Sequence, residues 1–285
     1  MTTRNLPKRI WRRLKYRARL YSHANKADCF LISYPKSGRT WFRFVLSHYF
    51  DNAAKLHVGT NLHNMFSVLP NFDLDTVRGI PSFDFASHVP KIPFIPVSHL
   101  GYQRSLFLDR PVIFMVRDPR DVIVSAYFHA TRHKHRFEGS ISDFIMDAKQ
   151  GLPCLVSYLN RWAVGLKRCK NIILTYEELS RNTESETARI LAFLGCEIDQ
   201  TALVQAVKAG HFSAMQEREI SEGLPAHDYD RSDTESLRMR RGQAGGFGDY
   251  LSAEQISAIE VMCSRSLTPD AKKLLHGTGI IFRDD

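Results

Sequence analysis

Tyr34-Pro35-Lys36-Ser37-Gly38-Arg39-Thr40-Trp41 follows a short apolar run, Cys29-Phe30-Leu31-Ile32-Ser33. The run reads as a buried strand, the Lys-Ser-Gly stretch as a turn, and residues 40–50 as an amphipathic helix. A helix start leaves backbone N–H groups without partners, and the helix dipole adds positive potential there. Lys36 adds a full charge, Ser37 and Thr40 add hydroxyl donors, and Trp41 offers a flat face beside them. The segment is therefore an anion cradle suited to a phosphate-bearing aromatic ligand. It is not a Walker A loop, which needs G-x-x-x-x-G-K-[ST]; here the lysine precedes the glycine.

Working outward, further apolar runs at 94–97, 112–116 and 172–175 read as strands. Helical periodicity marks 120–131, 140–148, 152–167, 183–194, 202–209 and 253–264. Short apolar strands alternating with helices predict an α/β fold, a central parallel sheet covered by helices on both faces. Ser140 caps its helix with Asp143 in the first turn, and Gly195 stops another. Residues 51–93 read as a long excursion with short helices, and 220–236 as a mobile polar surface loop. The 285 residues, 44% of them hydrophobic, suffice for one sizeable domain.

Two more segments carry chemistry. In Val112-Ile113-Phe114-Met115-Val116-Arg117-Asp118-Pro119, a strand ends in Arg117, and Pro119 opens a helix. The carboxyl end of a parallel strand is where open α/β sheets bind ligands. Ser125, two turns along that helix, is placed to face the same ligand, and a guanidinium with a hydroxyl suits a phosphate. The alternative is a structural Arg117–Asp121 ion pair. In Arg238-Met239-Arg240-Arg241-Gly242-Gln243-Ala244-Gly245-Gly246, clustered arginines precede glycines that permit close backbone approach to a phosphate. Alone, it reads equally as a flexible basic loop.

Together the three segments resemble the sulfotransferases that use 3′-phosphoadenosine 5′-phosphosulfate (PAPS). Lys36-Ser37-Gly38-Arg39-Thr40-Trp41 is similar to the family's 5′-phosphosulfate loop. Arg117 to Ser125 is similar to its 3′-phosphate strand and helix, and Arg240-Arg241-Gly242 to its C-terminal Arg-Lys-Gly segment. The resemblance spans about residues 28–255 and implies a P-loop NTPase-like three-layer sandwich. It implies His99, in Ser98-His99-Leu100, as catalytic base, and Lys36 as the cation on the leaving 5′-phosphate oxygen. It places Trp41, Tyr176, Phe212 and Met215 around the adenine. It implies PAPS as sulfuryl donor, 3′-phosphoadenosine 5′-phosphate (PAP) as product, and no metal. Arg39 stands where many relatives carry threonine, Val97 where cytosolic small-molecule enzymes carry lysine, and Tyr250 where a tryptophan is expected. These departures suggest a bacterial-type branch apart from the animal detoxifying enzymes. The acceptor is expected to be a hydroxylated glycan, glycolipid or phenolic metabolite.

Charge separates the chain into 1–27, a basic amphipathic segment, and 28–285, the single domain. The net charge is +9, yet 1–27 holds nine Lys/Arg and no acid, leaving 30 basic and 30 acidic residues beyond it. A nucleic-acid binder would carry that charge on its folded body, so no specific nucleic acid is expected. Trp11, Leu14, Ala18 and Tyr21 recur at helical spacing among the cations. An interfacial helix on anionic lipid, an organellar targeting peptide and a stripe packed on the domain are all open readings. His129, Arg132, His133, Lys134, His135 and Arg136 suggest an anionic acceptor, against a solvated helix end as the plain alternative. No apolar run approaches the roughly 20 residues of a membrane span. Five scattered cysteines fit a reducing, cytoplasmic compartment, with peripheral membrane contact through 1–27. The rival functions are a P-loop-related nucleotide kinase and a membrane- or nucleic-acid-binding protein led by the tail.

Overall fold

The computed structural model describes residues 8–225 and 229–282. Arg4 of the basic segment and residues 226–228 of the polar stretch lie outside the described residues. In chain order the elements are α1 Lys8–Ala24, β1 Phe30–Ser33, α2 Arg39–Ala53, α3 Phe85–His88, β2 Val97–Ser98, α4 Arg104–Phe107, β3 Val112–Val116 and α5 Pro119–Phe128. They continue with α6 Ile141–Met146, α7 Leu152–Leu166, β4 Asn171–Thr175, α8 Tyr176–Arg181, α9 Thr183–Phe193, α10 Gln200–Ala209, α11 Phe212–Glu222, α12 Ala253–Ser266 and α13 Pro269–Leu274.

Four parallel strands form one sheet in the order β2-β1-β3-β4. Every residue of β1 and β3 is buried, which is why both read as unbroken apolar runs rather than alternating ones. One helix group packs α2 with α10 and α9, and another packs α5 with α6, α7 and α12, and α7 with α13. Trp162 of α7 anchors the core, 4.9 Å from the Phe107 ring and 5.5 Å from Phe114. A fully buried aromatic of this kind contributes about 1.5–3 kcal/mol.

The chain leaves β1 toward one edge of the sheet and β3 toward the other. The carboxyl ends of these neighbours therefore flank a topological switch point, where a crevice opens for ligand. Arg120 fixes the helix that follows β3. Its guanidinium meets Asp118 at 2.6 Å and Glu260 of α12 at 2.7 Å, both buried, and the Gly279 carbonyl at 2.7 Å.

The strand expected at 94–97 shrinks to β2. Pro93 and Pro96 have no N–H to donate, so only Val97 and Ser98 pair with β1. The helix expected over 120–131 ends at Phe128 and continues as a π turn over His129–His133. The Ser140–Asp143 capping box is formed, and Gly195 takes the left-handed φ of +74°. Excursion 51–93 carries short helical turns, as expected. The stretch 220–236, expected as a mobile polar surface loop, is largely exposed but anchored at several of its described residues. Residues 220–222 end α11, Leu224 and Ser236 are buried, and the Tyr229 hydroxyl donates to Glu219 at 2.7 Å.

Candidate active site

After β1 the backbone reverses sharply. Lys36 has φ +73° and Gly38 φ +91°. A Cβ at Gly38 would lie 2.5 Å from the Tyr176 ring, so only glycine lets turn and ring approach this closely. Gly38 caps α2 without a side-chain hydrogen bond, which leaves the first N–H groups of the helix open. Trp41 is pinned: its indole N–H donates to the Gly210 carbonyl at 2.7 Å, and its ring meets Tyr176 edge-on at 5.6 Å.

Arg117, at the end of β3, lies over the Tyr176 ring at 4.2 Å, pairs with Asp121 at 3.2 Å and donates to the Gln243 carbonyl at 3.0 Å. Asp121 also accepts the Gly245 and Phe247 N–H groups, each at 2.9 Å. The structural ion pair therefore exists, and it ties the glycine-rich loop to α5. Arg240 pairs with Glu235 at 2.9 Å between the Phe128 and Tyr250 rings, each 4.6 Å away. Arg241 pairs with Asp249 and faces Tyr250 at 4.8 Å.

His99, just past β2, has its Nδ1 2.7 Å from the Ser33 carbonyl. A carbonyl only accepts, so Nδ1 carries the proton and Nε2 is a free acceptor. Burial, then the Arg39 guanidinium, holds the imidazole well below the usual histidine range, so it is neutral at pH 7. Burial, then the Arg238 guanidinium, lowers the Lys36 ammonium to about 7. The same two causes lower Arg39 to about 9, which leaves it charged at neutral pH.

These groups line one cavity of about 580 Å³, with Lys36, His99, Arg117 and Ser125 on its wall together with Arg240 and Arg241. Gly38, Arg39, Thr40, Trp41, Tyr176, Phe212, Met215 and Gly242 complete the set brought together there. A groove of about 810 Å³ elsewhere has Asp28, Glu197 and Asp199 against Lys91, the wrong balance for an anion. The family model described as Sulfotransferase domain matches residues 26–279. The chain belongs to the sulfotransferase domain family. Cytosolic sulfotransferase 12 of Arabidopsis thaliana is 27% identical over 254 residues, covering 83% of this chain and 76% of the relative. The 3-alpha-hydroxysteroid sulfotransferase of Cavia porcellus is 23% identical over 269 residues, covering 87% and 86%. In fold, this sulfotransferase domain is similar to mouse sulfotransferase SULT7A1 complexed with PAP. The TM-score is 0.58 at 20% identity, over 90% of this chain and 92% of that one.

Within this sulfotransferase domain, Ser37 is buried and is not among the residues of the cavity wall. The cluster 129–136 divides. His129 lines the cavity and His133 is buried, while Arg132, His135 and Arg136 are exposed.

Arg238 is the residue that sequence reading left unassigned. It lines the cavity, is half-buried, and reaches the Thr40 hydroxyl at 3.5 Å. Glu219 of α11 orients it by accepting its backbone N–H at 2.7 Å and that of Met239 at 2.8 Å. The available signal was the clustering Arg238-Met239-Arg240-Arg241 itself, in which Met239 is buried and Arg238, Arg240 and Arg241 line the cavity. All five cysteines are free thiols. Among the described residues, no helix is long and apolar enough to cross a membrane, and no group of metal-ligating side chains is assembled.

Proposed function

We propose that this chain transfers a sulfuryl group from PAPS to an acceptor hydroxyl by in-line displacement, within the single domain 28–285. The observation that carries the reading is the meeting of three phosphate-type segments in one cavity with a neutral histidine. The residues fit a nucleotide with an anionic group at each of two ends. The open start of α2 and Lys36 suit a 5′-phosphosulfate, and Arg117, Ser125, Arg240 and Arg241 suit a 3′-phosphate. Tyr176, Trp41, Phe212 and Met215 supply aromatic and apolar surface between these two poles for an adenine.

Sulfuryl transfer resembles phosphoryl transfer, so positioning and electrostatic stabilisation dominate. Lys36 neutralises the oxygen that leaves with the 5′-phosphate. His99 Nε2 takes the acceptor proton, and the Ser33 carbonyl stabilises the imidazolium through Nδ1–H. Arg39 and His99 line the same cavity, and the Arg39 charge acts on the imidazole, so an acceptor hydroxyl at Nε2 sits in a cationic cavity. This favours an acceptor with its own negative group, such as an acidic glycan or a glycolipid headgroup, over the hydroxysteroid in one relative's name. Arg39, Val97 and Tyr250 also support a bacterial-type branch. Free thiols support a cytoplasmic site of action.

Sulfur-labelled PAPS offered with hydroxylated acceptors tests the activity. Label is expected on an acceptor without added magnesium, and magnesium-dependent ATP hydrolysis with no label transfer would replace this reading by a nucleotide kinase. A second expectation concerns pH. Lys36 titrates near 7 in the free protein, and a bound phosphate raises it, so binding takes up a proton above pH 7. PAP affinity should therefore fall by about fivefold as pH rises from 7 toward 9, part of the roughly tenfold that a one-unit shift in Lys36 is worth over its full span. Calorimetric titration at several pH values would reveal the slope. A slope that survives in Lys36→Ala would assign the proton elsewhere.

A further inference from the structure

α1 presents three faces. Leu20 and Ala24 are buried against the core, and Arg17 donates to Gln103 at 2.7 Å, so one strip docks the helix on the domain. A second strip, beside the first, is open to solvent. Ile10, Leu14 and Tyr21 are 42%, 53% and 46% exposed, and Trp11 is 60% exposed. At helical spacing these four and Ala18 fall within an arc of about 100°. The third strip is basic: Lys8, Arg9, Arg12, Lys15 and Arg19 are all exposed, and none forms an ion pair with a described residue. No acidic residue occurs anywhere in 1–27 to balance them.

The stripe is therefore not spent on packing against the domain, since Leu20 and Ala24 already do that. A water-facing strip of Trp, Leu, Ile and Tyr edged by uncompensated cations matches the interface of an anionic bilayer. There the aromatics sit at headgroup level and the cations meet lipid phosphates and carboxylates. We propose that α1 lies in the surface of an anionic phospholipid membrane, with Trp11 and Leu14 as its inserted anchors. The helix borders the His99 side of the sheet. It contacts α4 and bonds Gln103, four residues beyond His99. Membrane docking thus brings the candidate base's flank, rather than the far edge at β4, toward lipid.

Co-sedimentation of the full chain with vesicles tests this. Phosphatidylcholine vesicles containing phosphatidylserine should bind the protein, pure phosphatidylcholine vesicles should bind it far less, and added salt should weaken the binding. Trp11→Ser combined with Leu14→Ser keeps every charge and alters only exposed side chains. It should lower vesicle binding by roughly tenfold or more, with the melting temperature and transfer to a water-soluble acceptor unchanged. Equal pelleting with both vesicle types, or wild-type binding by the double variant, would overturn the proposal. So would a concentration-dependent dimer that the double variant abolishes, because the stripe would then belong to a second copy of this chain.

Discussion

His99→Ala is expected to lower turnover by about 10²–10⁴, the usual contribution of a positioned general base. PAP affinity should stay near that of the wild type, because His99 acts on the acceptor proton. The Ser33 carbonyl fixes the tautomer, and burial with Arg39 keeps the ring neutral at working pH. His99→Gln should be about as slow, since an amide supplies a hydrogen bond but no base. Single-turnover rates with saturating donor separate this step from product release. Near-normal turnover in His99→Ala would remove the histidine from the mechanism.

Lys36→Ala is expected to lower turnover by about 10²–10³, comparable with removing one preorganised stabiliser of developing charge. Its affinity for PAP should fall by only about tenfold. The open N–H groups of α2 and the Arg117 side of the cavity still hold the nucleotide. Measuring turnover beside the dissociation constant of the product nucleotide distinguishes the roles. Equal losses in both would make Lys36 a binding residue alone. The pH slope in PAP affinity should vanish in the same variant, which ties the titration to one amine.

Much of the fold is legible in the sequence where local pattern and burial agree. β1 and β3 are apolar throughout because neighbours and helices cover both faces, and α2 and α7 run long enough for their periodicity to show. The helices α8, α11 and α13 escape notice. Six residues hardly display a period, and α11 is mostly polar, held by Met215 and Glu219. The cradle residues are legible because their chemistry is local to one turn. Arg238 is not: its place depends on Glu219, a contact across 19 residues that no local pattern announces. The inward placing of His129 and His133 is not legible either. The hydrogen bond from Lys134 N–H to the His129 carbonyl, at 3.0 Å, widens the turn to π geometry, which ordinary helical spacing does not anticipate.

The bonds from Gly245 and Phe247 to Asp121 bear on the order of synthesis. They join residues 124 and 126 positions apart, and the Trp41 indole reaches 169 positions to Gly210. A ribosome completes the Lys36 turn early, long before its counterpart at Arg240 exists. The emerging chain thus carries a half-built nucleotide site, with Arg117 and Asp121 waiting for the glycine loop. Contacts this distant in sequence slow folding and prolong exposure of unfinished surfaces. A fragment ending before Arg238 would keep the sheet's four strands but lack the arginines and loop that close over the donor.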